Sequence, residues 1–332
     1  MIFSMKRIGN LFEKIIDRDN LLLAYKKASK GKAQKRAVQE YASALEENIS
    51  FLYKGLVNFD FPIGDYHYFK IFDPKERLIS AVSFPERVLH HAIMNVCTPY
   101  FESFLIYDSY ANCIGKGQLA AIKRAQKYAH EYKWFLKCDI KKYFDSIPHD
   151  KMYELLESKF KDVKLLFWFK KIICSYSVKP NTGLPIGNLS SQFFANLYLD
   201  KIDRLYSPFV RYMDDFVFWS NDKDQLKELL KNLRCILLND LSLELKENSY
   251  INQTKFGMDF LGMRIFPNVV GLGRRSKLRY RRKLKLHIKN YEEGFVSEEK
   301  YHECLKALTA FTKISCCKEW RRNVIESLGL YV

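Results

Sequence analysis

The sequence predicts an α+β fold, and three observations lead to that prediction. Residues 66–80 and 209–220 alternate like paired strands, whereas most of the chain has helical spacing. A third apolar strand, predicted at 134–140, carries the carboxylate of Asp139. Two more carboxylates, Asp214–Asp215, lie between two strand-like runs, where a hairpin turn is expected. Strands that bear acids, with helices packed behind them, are typical of α+β proteins.

Helices dominate the first part of the chain. Residues 11–58 are predicted to be helical, and a basic run at 26–36 interrupts them. That run is typical both of a solvated loop and of a phosphate contact, and the sequence leaves the two interpretations open. Paired strands around residues 73–74 come next. Further helices are predicted at 84–100 and 118–132.

The second part mixes helices with strands. A helix is expected from about His149 and another at 189–202, before the hairpin that contains Asp214. The later predictions are a helix at 222–239, a strand at 260–266 and a strongly basic helical region after Gly273.

The composition excludes a disordered chain and indicates a polyanionic partner. The 332 residues suffice for two or three subdomains, and 48% of them are hydrophobic. Lys and Arg number 55 against 38 Asp and Glu, which gives a formal charge of +17. An excess of that size favours binding to nucleic acid.

The cysteines and the apolar runs indicate a compartment. The eight cysteines have no zinc-binding spacing, so free thiols in a reducing cytoplasm are expected. The N-terminus lacks the apolar stretch of a signal peptide, and no run of about 18 apolar residues occurs. The prediction is a cytoplasmic protein without a membrane span.

Asp139, Asp214 and Asp215 would form a metal-binding catalytic site if the fold brings them together. Asp139 at the end of a buried strand is unfavourable unless it is paired or binds metal. Adjacent Asp214 and Asp215 repel each other and need a counter-charge, and oxygen ligands suit magnesium. Three such carboxylates could hold two Mg²⁺ ions for phosphoryl transfer.

Three ordered motifs resemble those of reverse transcriptases. The segments are 139–147 (DIKKYFDSI), 183–192 (GLPIGNLSSQ) and 212–215 (YMDD), which are similar to the family's A, B and C motifs. Residues 260–262 (FLG) are similar to its primer-grip turn. The resemblance extends over about residues 15–330 and implies a right-hand polymerase with fingers, palm and thumb.

The resemblance also implies domain boundaries. The palm is expected to combine an antiparallel sheet with helices, and the thumb to be helical. The expected domains are an N-terminal helical extension at 1–60, fingers at 61–135, a palm at 136–268 with a helical segment at about 150–190, and a basic thumb at 269–332.

The resemblance implies that Asp139, Asp214 and Asp215 are catalytic and bind two Mg²⁺ ions. The backbone carbonyl of Ile140 is the implied further ligand of these ions. The implied deoxynucleotide site consists of Arg77, Lys75, Lys70, Phe144, Ile186, Gly187 and Gln192. Which of Lys70 and Lys75 points inward stays open. A bidentate guanidinium suits the triphosphate-binding role of Arg77.

Two of these positions have a competing structural interpretation. Phe144 matches a bulky gate that excludes a 2′-hydroxyl, and a core aromatic is the alternative. Ile186 stands where many relatives have Gln, and an aliphatic side chain there would loosen selection. Ordinary packing beside Leu184 is the alternative.

Other polar residues are expected to be structural. Arg87 is predicted to form an ion pair, and His149 to start a helix. Asp145 is expected to face away from Asp139, and His67, His90 and His91 have no companions at metal-ligand spacing. The register does not decide whether Lys246 or Asn248 stands where relatives carry a lysine near pyrophosphate.

The nucleic acid is expected to contact two regions. The resemblance assigns template and primer contacts to Tyr212, Met213, Leu261 and Gly262. Residues 274–285 contain eight basic residues in twelve, and a solvated surface is the alternative to phosphate binding. The candidate contacts are Arg274, Arg275, Arg281 and Arg282.

The B motif and residues 258–267 look like the reverse transcriptases of diversity-generating retroelements. That resemblance implies an RNA template with a DNA or RNA primer, errors at template adenines and a small basic accessory protein. Two alternatives remain: an antiphage enzyme that copies its own noncoding RNA, and a non-catalytic RNA-binding scaffold.

Overall fold

A computed structural model describes residues 6–72 and 76–328. The chain divides into two compact units, each assembled from separate stretches of sequence. Unit 1 comprises Met1–Tyr107, Ile140–Leu205 and Leu233–Leu245. Unit 2 comprises Asp108–Asp139, Tyr206–Asn232 and Lys246–Val332.

The helical and strand elements follow closely from the sequence pattern. The N-terminal elements are α1 (Phe12–Ile15), α2 (Arg18–Ser29), α3 (Arg36–Ser43), α4 (Leu45–Val57), β1 (Tyr66–Ile71), β2 (Arg77–Val82) and α5 (Phe84–Phe104). The central elements are α6 (Gln118–Glu131), β3 (Trp134–Asp139), α7 (Tyr143–Ser146), α8 (His149–Lys159), α9 (Val163–Cys174), α10 (Leu189–Tyr198) and α11 (Asp200–Asp203).

The remaining elements complete the sheets and the C-terminal helices. They are β4 (Phe209–Tyr212), β5 (Asp215–Ser220), α12 (Lys223–Asn239), β6 (Tyr250–Gln253), β7 (Met258–Phe260), β8 (Met263–Ile265), β9 (Val270–Leu272), α13 (Arg274–Glu292), α14 (Glu298–Thr312) and α15 (Lys318–Glu326). A short 3₁₀ turn, Thr254–Phe256, precedes β7.

Unit 1 is mainly helical, with α2 packed along α5. Asn20 of α2 donates a hydrogen bond to the Ala92 carbonyl of α5 at 3.0 Å, which fixes the register of the two helices. An aromatic cluster fills the interior, with Phe169 centred 5.4 Å from Phe160 and 5.2 Å from Phe194. The predicted strands β1 and β2 pair antiparallel, from Tyr66 opposite Val82 to Ile71 opposite Arg77.

Unit 2 contains a four-stranded antiparallel sheet in the order β4-β5-β3-β6. Helix α6 packs small residues, Ala121 and Ala125, into the same buried cluster as Phe135 and Trp219 of the sheet. Strands β7, β8 and β9 form a second sheet whose side chains join that cluster. The interior of unit 2 therefore holds β3 and β5 in a fixed register.

The C-terminal helices of unit 2 form a smaller apolar cluster. Tyr280 and Leu284 of α13 pack with Val324 of α15, and the rings of Tyr280 and Trp320 lie 5.5 Å apart. The opposite face of α13 carries most of its basic residues.

The structure corrects two of the predicted elements. Residues 260–266 are not one strand, because Leu261 (φ 49°) and Gly262 (φ 81°) reverse the chain between β7 and β8. The helix predicted at 189–202 is broken at Leu199, whose φ of −94° and ψ of 8° depart from helical values.

The prediction of a helical region at 11–58 is confirmed, apart from short connections between the helices. The eight cysteines form no disulfide bond. Within the described ranges, no helix combines the length and apolarity needed to cross a membrane. The division into fingers, palm and thumb at the predicted boundaries stays a prediction.

Candidate active site

The candidate site begins at the turn between β4 and β5. Tyr212 pairs with Asp215, so Met213 and Asp214 form the turn itself. Met213 has φ 56°, a left-handed conformation that a side chain adopts only when its surroundings hold it. Arg211, which is fully buried, donates a hydrogen bond to the Met213 carbonyl at 3.3 Å. Asn112 Nδ2 lies 3.6 Å from the Met213 sulfur.

The central strand brings the third carboxylate to the same end of the sheet. Asp139 is the last residue of β3 and stands opposite Asp215 in the antiparallel register. The structure therefore brings together Asp139, Asp214 and Asp215, as the sequence predicts, although the first and last are 76 positions apart.

Burial and neighbouring carboxylates raise the pKa values of Asp214 and Asp215. Burial raises the pKa of Asp214 to about 6, and the neighbouring charge of Asp139 adds to the effect. Burial also raises the pKa of Asp215, while Lys137 acts in the opposite direction. This concentration of negative charge would be relieved by a cation.

Two lysines supply part of the counter-charge. Lys137 of β3 donates a hydrogen bond to Asp215, and its ammonium group lies 5.2 Å from the centre of the Phe260 ring. Lys246 Nζ lies 2.5 Å from Asp139 Oδ2. The sequence analysis missed Lys137, although its position two residues before Asp139 in a strand places both side chains on one face. Lys246, whose register the sequence left open, thus lies beside one of the three carboxylates.

The donor chemistry of the site fits a divalent cation. Asp139 Oδ1 is buried and has no hydrogen-bond donor among the described residues, which is unfavourable for a carboxylate oxygen. Within 6–72 and 76–328, no three His, Cys, Asp or Glu side chains are already grouped as a complete metal site. Lys137 and Lys246 hold two of the three carboxylates instead.

Most residues of the predicted nucleotide site lie in unit 1. The Leu184 amide donates to the Phe144 carbonyl at 2.8 Å, which joins α7 to the segment before α10. The Ser80 amide of β2 donates to the Ile186 carbonyl at 2.9 Å. Gly187 has φ 125°, and a Cβ there would lie 2.8 Å from a methyl group of Ile79. Only glycine fits this approach.

The side chains of this region differ in exposure. Phe144, Ile186 and Gln192 are partly buried, so neither Phe144 nor Ile186 is a fully enclosed core residue. Arg77 is exposed at the start of β2, and Lys70 of β1 pairs with Glu76 at 2.6 Å. Lys75 lies outside the described residues.

The predicted primer-grip turn is held by specific contacts in unit 2. Gln118 at the start of α6 donates a side-chain hydrogen bond to the Leu261 carbonyl at 2.7 Å. The Gly273 amide donates to the Gly262 carbonyl at 3.1 Å. A Cβ on Gly262 would approach Ser276 Oγ to 2.9 Å. Sequence reasoning did not identify Gln118, because its partner is 143 positions away.

The four candidate phosphate contacts lie on one helix. Arg274, Arg275, Arg281 and Arg282 are exposed on α13, and none of them has an ion-pair partner among the described residues. The buried side of the same helix is formed by Ser276, Tyr280 and Leu284.

Several residues expected to be structural are so. His149 starts α8 and its Nε2 lies 2.8 Å from the Gly183 carbonyl oxygen, and buried His90 contacts Ser190 at 2.7 Å. The ion pair predicted for Arg87 is wrong. Its side chain is partly buried and has no acidic partner among the described residues, because its charged neighbours are basic.

Together, the antiparallel sheet, the carboxylates at its hairpin and the surrounding helices define a right-hand polymerase fold. The sequence model described as "Reverse transcriptase (RNA-dependent DNA polymerase)" matches residues 72–265. The chain therefore belongs to the reverse transcriptase family, whose members depend on a divalent metal ion.

Curated relatives agree with this assignment. The group II intron-encoded protein LtrA of Lactococcus lactis subsp. cremoris is 23% identical over 206 residues, covering 58% of this chain and 34% of that protein. The putative COX1/OXI3 intron 2 protein of Saccharomyces cerevisiae is 26% identical over 126 residues, covering 36% and 15%. The chain thus matches about a third or less of the length of these relatives.

A solved structure shares the fold. The apo telomerase of Candida tropicalis superposes with a TM-score of 0.50 at 12% identity, covering 80% of this chain and 59% of that one. At this identity the likeness concerns the fold alone.

Proposed function

We propose that this chain is an RNA-directed DNA polymerase that extends a DNA or RNA primer on an RNA template with deoxynucleotides. The observation that carries the proposal is the pairing of Asp139 opposite Asp215, with Asp214 in the adjoining turn. Membership of the reverse transcriptase family supports it.

The three carboxylates would hold two Mg²⁺ ions, with the backbone carbonyl of Ile140 as a further ligand. When bound, the ions would lower the pKa of the primer hydroxyl and stabilise the leaving pyrophosphate. Lys137 and Lys246, which pair with Asp215 and Asp139, would be placed to contact phosphate oxygens of the substrate.

The substrate contacts are proposed from the family motifs. Arg77, with Lys70 or Lys75, would bind the triphosphate, and Phe144 would exclude a 2′-hydroxyl. Ile186, Gly187 and Gln192 would lie against the incoming nucleotide, the small size of Gly187 permitting close approach. Tyr212, Met213, Leu261 and Gly262 would contact the primer end.

Primer extension tests the proposal directly. Purified protein, a DNA primer on an RNA template, deoxynucleotides and MgCl₂ should give a full-length product that EDTA abolishes. Asp214→Asn should give no product while it still binds the template. Binding without any synthesis by the wild type would favour the scaffold alternative instead.

We further propose that the enzyme serves a diversity-generating retroelement. Its template would be a dedicated repeat-containing RNA, its partner a small basic accessory protein and its location the cytoplasm. Ile186 supports this proposal, because an aliphatic side chain cannot make the hydrogen bonds that a glutamine would offer to a nascent base pair.

Ile186→Gln should lower the error frequency opposite template adenines while synthesis stays measurable. A tenfold drop corresponds to about 1.4 kcal/mol of restored discrimination. Deep sequencing of cDNA made on a defined RNA measures the effect, with Leu184→Ile as a packing control. Uniformly low errors at all four template bases in the parent enzyme would favour the antiphage alternative.

A further inference from the structure

A group of cations in unit 1 lies outside the site described above. The basic run at 26–36 contains six Lys or Arg residues and no Asp or Glu. Part of it is the end of α2, and the rest connects α2 to α3. The first turns of α5 add Arg87 and His91.

Specific contacts hold these elements side by side. Lys27 Nζ of α2 donates to Asn95 Oδ1 of α5 at 2.7 Å. The ring of Tyr25 lies 6.3 Å from that of Phe84, one turn before Arg87. The Lys32 amide donates to the Ser29 carbonyl at 2.9 Å, which folds the connection back beside the helix end. The cations therefore belong to an ordered surface.

Three members of the group lack counter-charges in the part of the chain that the structure describes. Lys32, Arg87 and His91 have no ion-pair partner among residues 6–72 and 76–328, and all three are partly buried. Like charges held together in a partly desolvated place are unfavourable unless an anion balances them.

The proton affinities reflect this crowding. Burial lowers the pKa of Lys32, and the charges of Arg87 and Lys35 lower it further. Burial lowers the pKa of His91 to about 4, and the charges of Lys27, Lys32 and Arg87 contribute. His91 is therefore neutral at pH 7 and can donate a hydrogen bond without adding charge.

We propose that Lys27, Lys32, Arg87 and His91 form a binding site for a backbone phosphate of single-stranded RNA. Arg87 offers a planar guanidinium for two oxygens of one phosphate, and Lys32 offers a mobile ammonium group. Exposed Lys35, whose charge acts on Lys32, continues the positive surface, so a neighbouring phosphate of a chain also meets a cation. An isolated phosphate would leave that flanking charge unused.

Only the identification of the ligand as RNA depends on the proposed function. Its test therefore uses binding in EDTA, where no synthesis occurs. If the wild type makes no cDNA, the polymerase proposal fails while the binding comparison still decides this one.

The experiment compares two double variants that remove the same charge from the same segment. Lys27→Gln with Lys32→Gln alters the site, whereas Lys26→Gln with Lys30→Gln alters only exposed lysines beside it. Fluorescence anisotropy with a labelled 20-nucleotide RNA gives Kd from 50 to 300 mM KCl. The plot of log Kd against log salt should flatten by about 0.7 per lost phosphate contact in the first variant.

Lys26→Gln with Lys30→Gln, the control, should change the salt-dependence slope by less than half the change seen for Lys27→Gln with Lys32→Gln. Equal slopes and equal affinities for the two double variants would overturn the proposal.

A second arm measures the Tm of both variants and the wild type in phosphate and in chloride of equal ionic strength. If phosphate stabilises only proteins with Lys27 and Lys32 while RNA binding is unaffected, the site takes a small free anion and the RNA assignment is wrong.

Discussion

At the scale of single residues, the proposed metal ligand Asp214 carries a charge that its surroundings disfavour. Its folded-state pKa is raised from 3.8 to about 6, so the carboxylate is ionised at pH 7 against burial and repulsion. A shift of that size corresponds to at most about 3 kcal/mol of lost stability. The loss is full above pH 6 and disappears as the pH falls towards 3.8.

Asp214→Asn should therefore abolish primer extension and, without metal, raise the Tm at pH 7. The gain in Tm should shrink as the pH is lowered from 7 to 4, because the wild-type carboxylate then becomes protonated. Thermal unfolding in EDTA across this range measures it, with Asp145→Asn as the control. An Asn variant less stable than the wild type at pH 7 would contradict the electrostatic account.

Gln118 provides a second test at this scale, through the turn that it supports. Gln118→Leu removes the donor to the Leu261 carbonyl, which costs about 0.5–1.5 kcal/mol of stability. If Leu261 and Gly262 contact the primer, the KM for primer–template should rise several-fold while kcat changes little.

The matched control for Gln118 is Asn268→Ala, which loses a hydrogen bond to His130 at 3.0 Å in the same unit. Steady-state kinetics and Tm are measured on both variants. If both variants lose the same Tm and have the same KM for primer–template, Gln118 is only a structural residue.

Single residues also show which parts of the site could be predicted from the sequence and which could not. The meeting of Asp139, Asp214 and Asp215 was predictable, because their motifs are local and ordered. Lys137 and Gln118 were not singled out, since each acts on a residue that is distant in the chain. Arg87 was misinterpreted because an arginine early in a helix usually finds an acid, and here the neighbours are basic.

At the scale of elements, α13 combines an apolar side with an exposed basic side. Replacing Arg274, Arg275, Arg281 and Arg282 by Gln should weaken binding to an RNA–DNA duplex. The salt dependence should flatten by about 0.7–0.9 per lost phosphate contact. Because none of the four has an ion-pair partner among the described residues, the Tm should change little.

The control for this helix removes four basic residues of α12, which are also exposed. They are Lys223, Lys227, Lys231 and Arg234. Anisotropy at several KCl concentrations gives both slopes. A four-arginine variant with the wild-type slope would mean that this side of α13 is only a solvated surface.

Elements were predicted well where the pattern was long and regular. Helices α5, α6 and α12 and the hairpin of β4 and β5 follow directly from periodicity. The break between β7 and β8 was less visible, because Leu261 adopts a positive φ that hydrophobic pattern alone does not reveal. Tertiary hydrogen bonds from Gln118 and Gly273 impose it.

At the scale of the whole molecule, the family assignment depends on the order of the motifs more than on any one of them. The family model covers residues 72–265, so the N-terminal helices and α13–α15 lie beyond it. Twelve of the 17 net positive charges of the chain lie in those two regions. If the proposed function is right, RNA binding is expected to depend strongly on the parts outside the matched core.

The central position of β3 has a consequence for how the protein is made. Trp134 of β3 pairs with Ser220 of β5 and with Gln253 of β6, and both of these residues are synthesised much later. Contacts so distant in sequence slow folding. At ribosomal speeds of about 5–20 residues per second, the apolar strand waits on the order of ten seconds for its second neighbour. A nascent chain halted before Tyr250 would expose an open strand edge, so chaperone protection during synthesis should govern its yield.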